Sequence, residues 1–224
     1  MCVDVAHGHH ILTKTALESL KKRFGDRVHL MAGNVATLEA FNDLSDWGAN
    51  SIRVGIGGGS ICSTRIQTGH GVPTLQSVLD CAQSDRPALL IADGGIKTSG
   101  DIVKCLAAGA DLVMLGSMLS GTDETPGVTW YDPKEKAFMK TYRGMASVEA
   151  QISWRGHTAS VEGVSSSVYQ KGPVKQVLDD LEQGIRSGIS YSGCLSTRDF
   201  RAKSSFIRQT VSGATESGTH INRR

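Results

Sequence analysis

Short apolar, β-rich runs recur along the first half of the chain, at Cys2 to Ala6, Val28 to Ala32, Ser51 to Val54, Ala88 to Ala92 and Leu112 to Leu115. Between them the apolar positions move to helical spacing: Ile11 to Arg23 with Leu12, Leu17 and Leu20 on one side, then Leu38 to Trp47, Thr74 to Ala82 and Gly100 to Ala108. Five strands alternating with helices predict an α/β protein whose parallel sheet is covered by helices. The segment from Gly48 to Gly55 echoes the one from Gly109 to Gly116, each ending a helix, turning tightly and running through a strand to glycine. A doubly wound sheet and a (β/α)8 TIM barrel both fit this local pattern. Polar and glycine-rich residues follow successive strands with no reversal, which favours the barrel.

Five strands do not close an eight-stranded barrel. Beyond Gly116 the chain is polar and irregular until an amphipathic run from Val174 to Arg186, so no further parallel strand is expected there. The reading is therefore one partial TIM-barrel domain over residues 1–224, holding the barrel's C-terminal portion. Residues 121–172 form a partly mobile loop excursion over the barrel mouth, and 173–224 a C-terminal helix and tail. Either the chain is a fragment that begins at the barrel's fourth strand, or another polypeptide supplies the missing strands.

Composition narrows the class. Hydrophobic residues make up 39% and charged residues 21%, with 24 Lys+Arg against 22 Asp+Glu. That balance leaves no basic field for nucleic acid and no acidic disordered tail. Apolar stretches fall far short of the roughly 20 residues that cross a bilayer, and the start lacks a signal peptide's pattern, so a cytoplasmic globular protein without a membrane partner is expected. Five cysteines without CxxC or CxxH spacing argue against a disulfide framework or a zinc site.

The run from Gly55 to Arg65, with Gly57, Gly58 and Gly59 at its centre and Cys62 near its end, follows a strand directly. Glycines this dense let backbone groups curl around an ion or bring a side chain to a substrate. It is neither a Walker loop nor a GxGxxG fingerprint, since no helix is expected to open there. Cys81 and Cys105 fall in helical patterns and read as small buried hydrophobes, whereas Cys62 at a strand's carboxyl end, beside Thr64 and Arg65, reads equally as a thiol nucleophile or as another such hydrophobe. Asp93-Gly94-Gly95 and Gly116-Ser117 place glycines with a polar residue at two adjacent strand ends, a pattern suited to phosphate. Asp4 and the His7, His9 and His10 cluster lie after the first strand. Metal-site spacing is missing there, and a positioning role for Asp4 is the better reading.

These motifs, taken in order, resemble the inosine monophosphate dehydrogenase and guanosine monophosphate reductase family, an eight-stranded barrel with a mobile flap. The likeness runs through Asp4 to His9, Ala32 to Thr37, Gly57 to Thr64, Ala92 to Ile96, Met114 to Ser117 and Arg143 to Ser147. It implies that Cys62 adds to C2 of a purine nucleotide (GMP or IMP), and that potassium lies among Gly57, Gly59, Cys62 and Arg65. It places the nucleotide against Ser60, Asp93, Gly94, Gly95, Gly116, Ser117, Gly144, Met145, Ala146 and Gly163. NADPH would lie along Asp4, Val5, Ala6, Ile56, Gly57 and Met145, with Ser187 and Ser190.

Within that family a dehydrogenase hydrolyses the covalent adduct with a flap Arg-Tyr pair, and no such pair occurs between Ser147 and Glu162. A reductase expels ammonia with a threonine two residues after the cysteine and a flap glutamate, which match Thr64 and Glu162. NADPH-dependent GMP reductase is therefore the expected activity. The alternatives are an NAD-dependent IMP dehydrogenase, with His157 as its base, and a non-catalytic nucleotide-binding or split-barrel subunit. Three departures stand out: Gly58 where proline is frequent, Ala146 where serine is, and Ala159 where many members carry an arginine that helps hold the base. The resemblance also implies a homotetramer of completed barrels.

Overall fold

A computed structural model describes residues 1–219. Five parallel strands, β1 (Cys2–Asp4), β2 (Met31–Val35), β3 (Ser51–Val54), β4 (Leu89–Asp93) and β5 (Leu112–Met114), form one sheet in chain order. Helices α1 (Ile11–Phe24), α2 (Leu38–Asp46), α3 (Thr64–Thr68), α4 (Thr74–Cys81) and α5 (Ser99–Ala107) connect successive strands, two of them between β3 and β4. The expected α/β architecture is present, with β2 displaced toward the C-terminus from its expected position.

Local chemistry sets the helix ends. Thr37 accepts the Ala40 N–H at the start of α2, and Thr98 with Asp101 makes a reciprocal capping box at the start of α5. The sequence echo has a structural counterpart. In both copies a glycine at positive φ (Gly48 106°, Gly109 115°) ends the helix. Two residues on, a short polar side chain reaches back to the preceding strand: Asn50 accepts the Leu30 N–H and Asp111 the Leu90 N–H, each at 2.8 Å.

The core lies between the sheet's outer face and the helices, where Leu17, Phe41, Leu44, Ile52, Val54, Val78 and Leu90 are nearly inaccessible to solvent. On the opposite face Leu89 and Leu112 stay exposed, and β1 and β5 are the sheet's outer strands.

The stretch expected to be irregular is instead folded. Strands β6 (Thr129–Asp132), β7 (Ala137–Arg143) and β8 (Ser165–Tyr169) form a separate antiparallel sheet, and α6 (Val148–Arg155) sits between β7 and β8. Tyr131 and Phe138, directly opposed across β6 and β7, pack edge to face and stabilise the hairpin. Ser147 caps α6, and Gly156 ends it in the left-handed region. Helix α7 (Val174–Tyr191) packs across α5 and runs beyond the expected Arg186; α8 (Thr197–Lys203) and the short α9 (Val211–Glu216) follow. Positions 220–224 of the expected tail lie outside the described residues. Among the described residues no helix is long and apolar enough to cross a membrane.

Candidate functional site

A cavity of about 600 Å³ opens at the carboxyl ends of β1 to β4. Its floor is a polar lattice. Arg53, on β3, is ion-paired with Asp4 Oδ1 at 2.7 Å and donates through Nη2 and Nε to Asp93 Oδ2 at 2.9 and 3.1 Å. Asn34 adds Nδ2 bonds to Asp93 Oδ2 at 2.8 Å and to the Gly55 carbonyl at 2.7 Å. Burial disfavours the Arg53 cation, but the two carboxylates more than offset it and hold its pKa above the ordinary value.

The loop after β3 carries the thiol. Gly55 sits at φ 142°, and a Cβ there would lie 1.9 Å from the Asp93 carbonyl, so only glycine lets this turn meet β4. At Gly58 a Cβ would meet Thr74 Oγ1 at 2.4 Å and the Gly94 backbone, so the loops after β3 and β4 pack main chain against main chain. A short helix, α3, does open at Thr64, contrary to the expected loop, because Ser63 and Thr64 begin an i+4 bonding pattern that Gly69 terminates. The Arg65 guanidinium braces the loop on the Ile56 and Val72 carbonyls.

Cys62 Sγ, half-buried, donates to Thr64 Oγ1 at 3.2 Å, and Thr64 Oγ1 donates to Glu162 Oε2 at 2.7 Å. Glu162 is held there by main chain: Ser63 N–H donates to the Glu162 carbonyl at 2.9 Å, and Val164 N–H to the Ile61 carbonyl at 3.0 Å. This thiol–hydroxyl–carboxylate series lets a proton pass between the sulfur's surroundings and a carboxylate without a water intermediary.

Most residues expected at a site converge here. Asp4, Val5, Ala6, Ile56, Gly57, Gly59, Cys62, Thr64, Asp93, Gly94, Met145, Ala146 and Glu162 all line the cavity. Gly163 bridges to Cys62, and Gly144 lies against Ile61 and Gly163. Ser60 and Gly116 gather around the Tyr142 hydroxyl, 3.5 Å from Ser60 Oγ, while Gly95 sits behind Gly58. The Ser117 carbonyl accepts Lys171 Nζ at 2.9 Å, and burial lowers that lysine's pKa. Ser187 and Ser190 are not brought to the cavity; both are exposed on α7. His157 does not line it either, and its Nδ1 lies 3.2 Å from the Arg155 carbonyl. His9 bonds Asp43 at 2.8 Å and stacks on Trp47, while His10 caps α1.

Sequence reading missed Asn34, Arg53, Tyr142, Gln151 and Arg155. Arg53 was hidden inside a strand run; its signal was a charge at an otherwise apolar strand position. Buried Gln151 ties the Ala146 carbonyl to the Ala159 N–H, a link between segments that only the fold brings together.

Burial pushes the Cys81 thiol up to about 12, with Asp80 adding to it, and the Cys105 thiol up to about 11, with Asp101 adding. Both values lie above an unfolded cysteine's. The stability these thiols contribute is therefore complete below the unfolded value and is lost as pH rises through about 11 to about 12. At neutral pH iodoacetamide is expected to label exposed Cys2 and half-buried Cys62 and to leave Cys81 and Cys105 untouched until the protein unfolds. Peptide mass spectrometry reads this directly, and native-state labelling of Cys81 at the Cys62 rate would contradict it.

The chain is thus an α/β protein whose parallel sheet gathers a thiol, a hydroxyl and a carboxylate over its strand ends, beside glycine turns from adjacent strands. Residues 1–220 match the IMP dehydrogenase / GMP reductase domain, and the chain belongs to that family. It is 46% identical to the GMP reductase of Leishmania major over 98% of this chain and 47% of that protein. It is 43% identical to the inosine-5'-monophosphate dehydrogenase of Nitrosopumilus maritimus over 98% of this chain and 48% of that protein. A crystal structure of a cysteine-to-alanine variant of Trypanosoma brucei GMP reductase, in complex with guanosine 5'-monophosphate, superposes with a TM-score of 0.92 at 44% identity. That match covers 98% of this chain and 46% of the other. The chain thus spans about half the length of the relatives it matches.

Proposed function

We propose that this chain carries the nucleotide-handling part of an NADPH-dependent GMP reductase. The hydrogen-bonded Cys62, Thr64 and Glu162 series over the cavity is the observation that carries the reading. The Cys62 thiolate adds to C2 of GMP, forming a C–S bond. The thiol proton passes through Thr64 to Glu162, which delivers it to the departing exocyclic amine as the C2–N bond breaks and ammonia leaves a thioimidate. When bound, NADPH supplies the hydride that C2 receives; the C–S bond then breaks, giving IMP and returning the thiolate.

Chain residues fit the dinucleotide. Asp4 stands at the cavity edge with its side chain 60% exposed, and Val5, Ala6 and Met145 give an apolar wall for a flat ring. Asp93 receives ribose hydroxyls, and the Gly94-Gly95 and Gly116-Ser117 turns, with Ser60 and Tyr142, surround the phosphate. Carbonyl oxygens are the donors a potassium ion takes. Among the described residues those of Gly57 and Cys62 accept no hydrogen bond, while the Gly59 carbonyl accepts the Cys62 N–H. These three would hold the ion, with Arg65 bracing the loop rather than offering its side chain.

The exposed inner face at Leu89 and Leu112 and the open strands β1 and β5 support closure of the barrel by three further βα units, from the same or another polypeptide, and assembly of completed barrels as a tetramer. Incubating the assembled protein with GMP and NADPH should release ammonia and oxidise NADPH in equal amounts. Consumption of neither substrate would reject the reading. Xanthosine monophosphate made from IMP and NAD would show the dehydrogenase instead.

A further inference from the structure

We infer that Arg53 is a positioning residue that couples occupancy of the nucleotide site to occupancy of the dinucleotide site. The inference rests on the reductase reading, which puts the nucleotide ribose at Asp93 and the dinucleotide at Asp4. One guanidinium holds both carboxylates, ion-paired through Nη1 with Asp4 and hydrogen-bonded through Nη2 and Nε to Asp93. Its side chain is only 16% exposed, so the planar fork is held between the two sites with little solvent to screen it. The partners differ in restraint. Asp93 is 18% exposed and also bonded by Asn34, whereas Asp4 is 60% exposed and its side chain has Arg53 as its one bonded partner among the described residues.

That asymmetry gives the coupling a sign. Ribose hydroxyls donating to Asp93 spread the charge of the carboxylate that Arg53 faces, and the guanidinium is then freer to hold Asp4. Asp4 becomes ordered where the dinucleotide meets it, so the second ligand no longer bears the ordering loss. Linkage requires the reverse effect to be equal: the dinucleotide must tighten GMP by the same factor. No other described side chain bonds both Asp4 and Asp93.

The test is a binding cycle on the assembled enzyme with GMP and oxidised NADP in a common Cys62→Ala background, where neither C–S bond formation nor hydride transfer consumes a ligand; the reference protein keeps Arg53 in that background. Titrating each ligand with and without the other should give one coupling factor from both directions, about 5-fold or more. In Arg53→Met it should fall to near 1. Arg53→Lys folds with a charge but no fork and should keep only part of the coupling; it serves if the methionine variant does not fold. Reference protein that binds both ligands with a factor of 1 overturns the inference. So does an Arg53 variant that keeps the full factor. Reference protein that binds no GMP instead rejects the underlying reductase reading.

Discussion

Replacing Cys62 with alanine is expected to reduce turnover by roughly 10⁴-fold or more while leaving nucleotide affinity and melting temperature close to wild type. The effect is large because the thiol is the group that bonds to carbon in the proposed chemistry; binding and positioning alone leave only a small residual rate. Folding survives because one sulfur atom is removed from a half-buried loop position, and its hydrogen-bond partner Thr64 keeps its own bond to Glu162. Steady-state kinetics beside a GMP titration and a thermal melt make the check. A loss under tenfold would remove Cys62 from the role of nucleophile, and a collapse in melting temperature would show that the side chain is structural. The companion substitution Glu162→Gln should bring a smaller loss, because glutamine keeps the bond to Thr64 but does not take its proton.

Lys140→Met is expected to lower stability by about 2 to 4 kcal/mol, among the largest effects of any single substitution outside the apolar core. Lys140, on β7, is 3% exposed, yet among the described residues its ammonium pairs with no carboxylate. It donates instead to three main-chain carbonyls, Thr125 at 2.7 Å, Thr122 at 2.9 Å and Asp123 at 3.3 Å. Methionine keeps the apolar stem and deletes the donor, which leaves a nest of carbonyls without a partner at a place where Thr122 is itself inaccessible. The loss of a buried charge offsets part of this, hence the range. Chemical denaturation measures the total, and hydrogen exchange should show the amides of residues 122–125 losing protection first. Unchanged stability would mean that water replaces the ammonium without penalty.

The parallel half of the molecule was legible because its signals are local. Apolar runs of strand length, the helical spacing between them and the paired glycine turns lie within a few residues of one another, and each is satisfied by near neighbours. The site loops were legible for the same reason: Gly57 to Cys62 and Asp93 to Gly95 are contiguous and need only a strand end to place them. Residues 121–172 misled because antiparallel pairing there joins segments far apart, as between Met139 and Tyr169, and because threonine, serine and lysine occupy strand positions where an apolar alternation was sought. A buried lysine on a strand reads as a surface residue until its carbonyl partners are known. Arg53 was hidden for the converse reason: its meaning depends on Asp93 on the neighbouring strand β4 and on Asp4 two strands away on β1, which only the assembled sheet brings to it.

The excursion that carries Glu162 leaves and rejoins the rest of the fold at a single crossing. Asp123 N–H donates to the Gly172 carbonyl at 2.9 Å and Lys171 N–H to the Gly121 carbonyl at 2.8 Å. In polymer terms the intervening chain is a closed ring, and the entropy of closing a ring grows only with the logarithm of its contour: doubling the length adds about 0.6 kcal/mol. Length is therefore nearly a free variable wherever the ring does not touch the loop that carries Cys62. It touches that loop at Tyr142 and Gly144 and at Glu162 to Val164. Among the described residues the turn of residues 133–136 that joins β6 to β7 makes no hydrogen bond to it. Residues added at that turn would leave Glu162 within reach of Thr64, so the same arrangement of thiol, hydroxyl and carboxylate is compatible with arms of very different size.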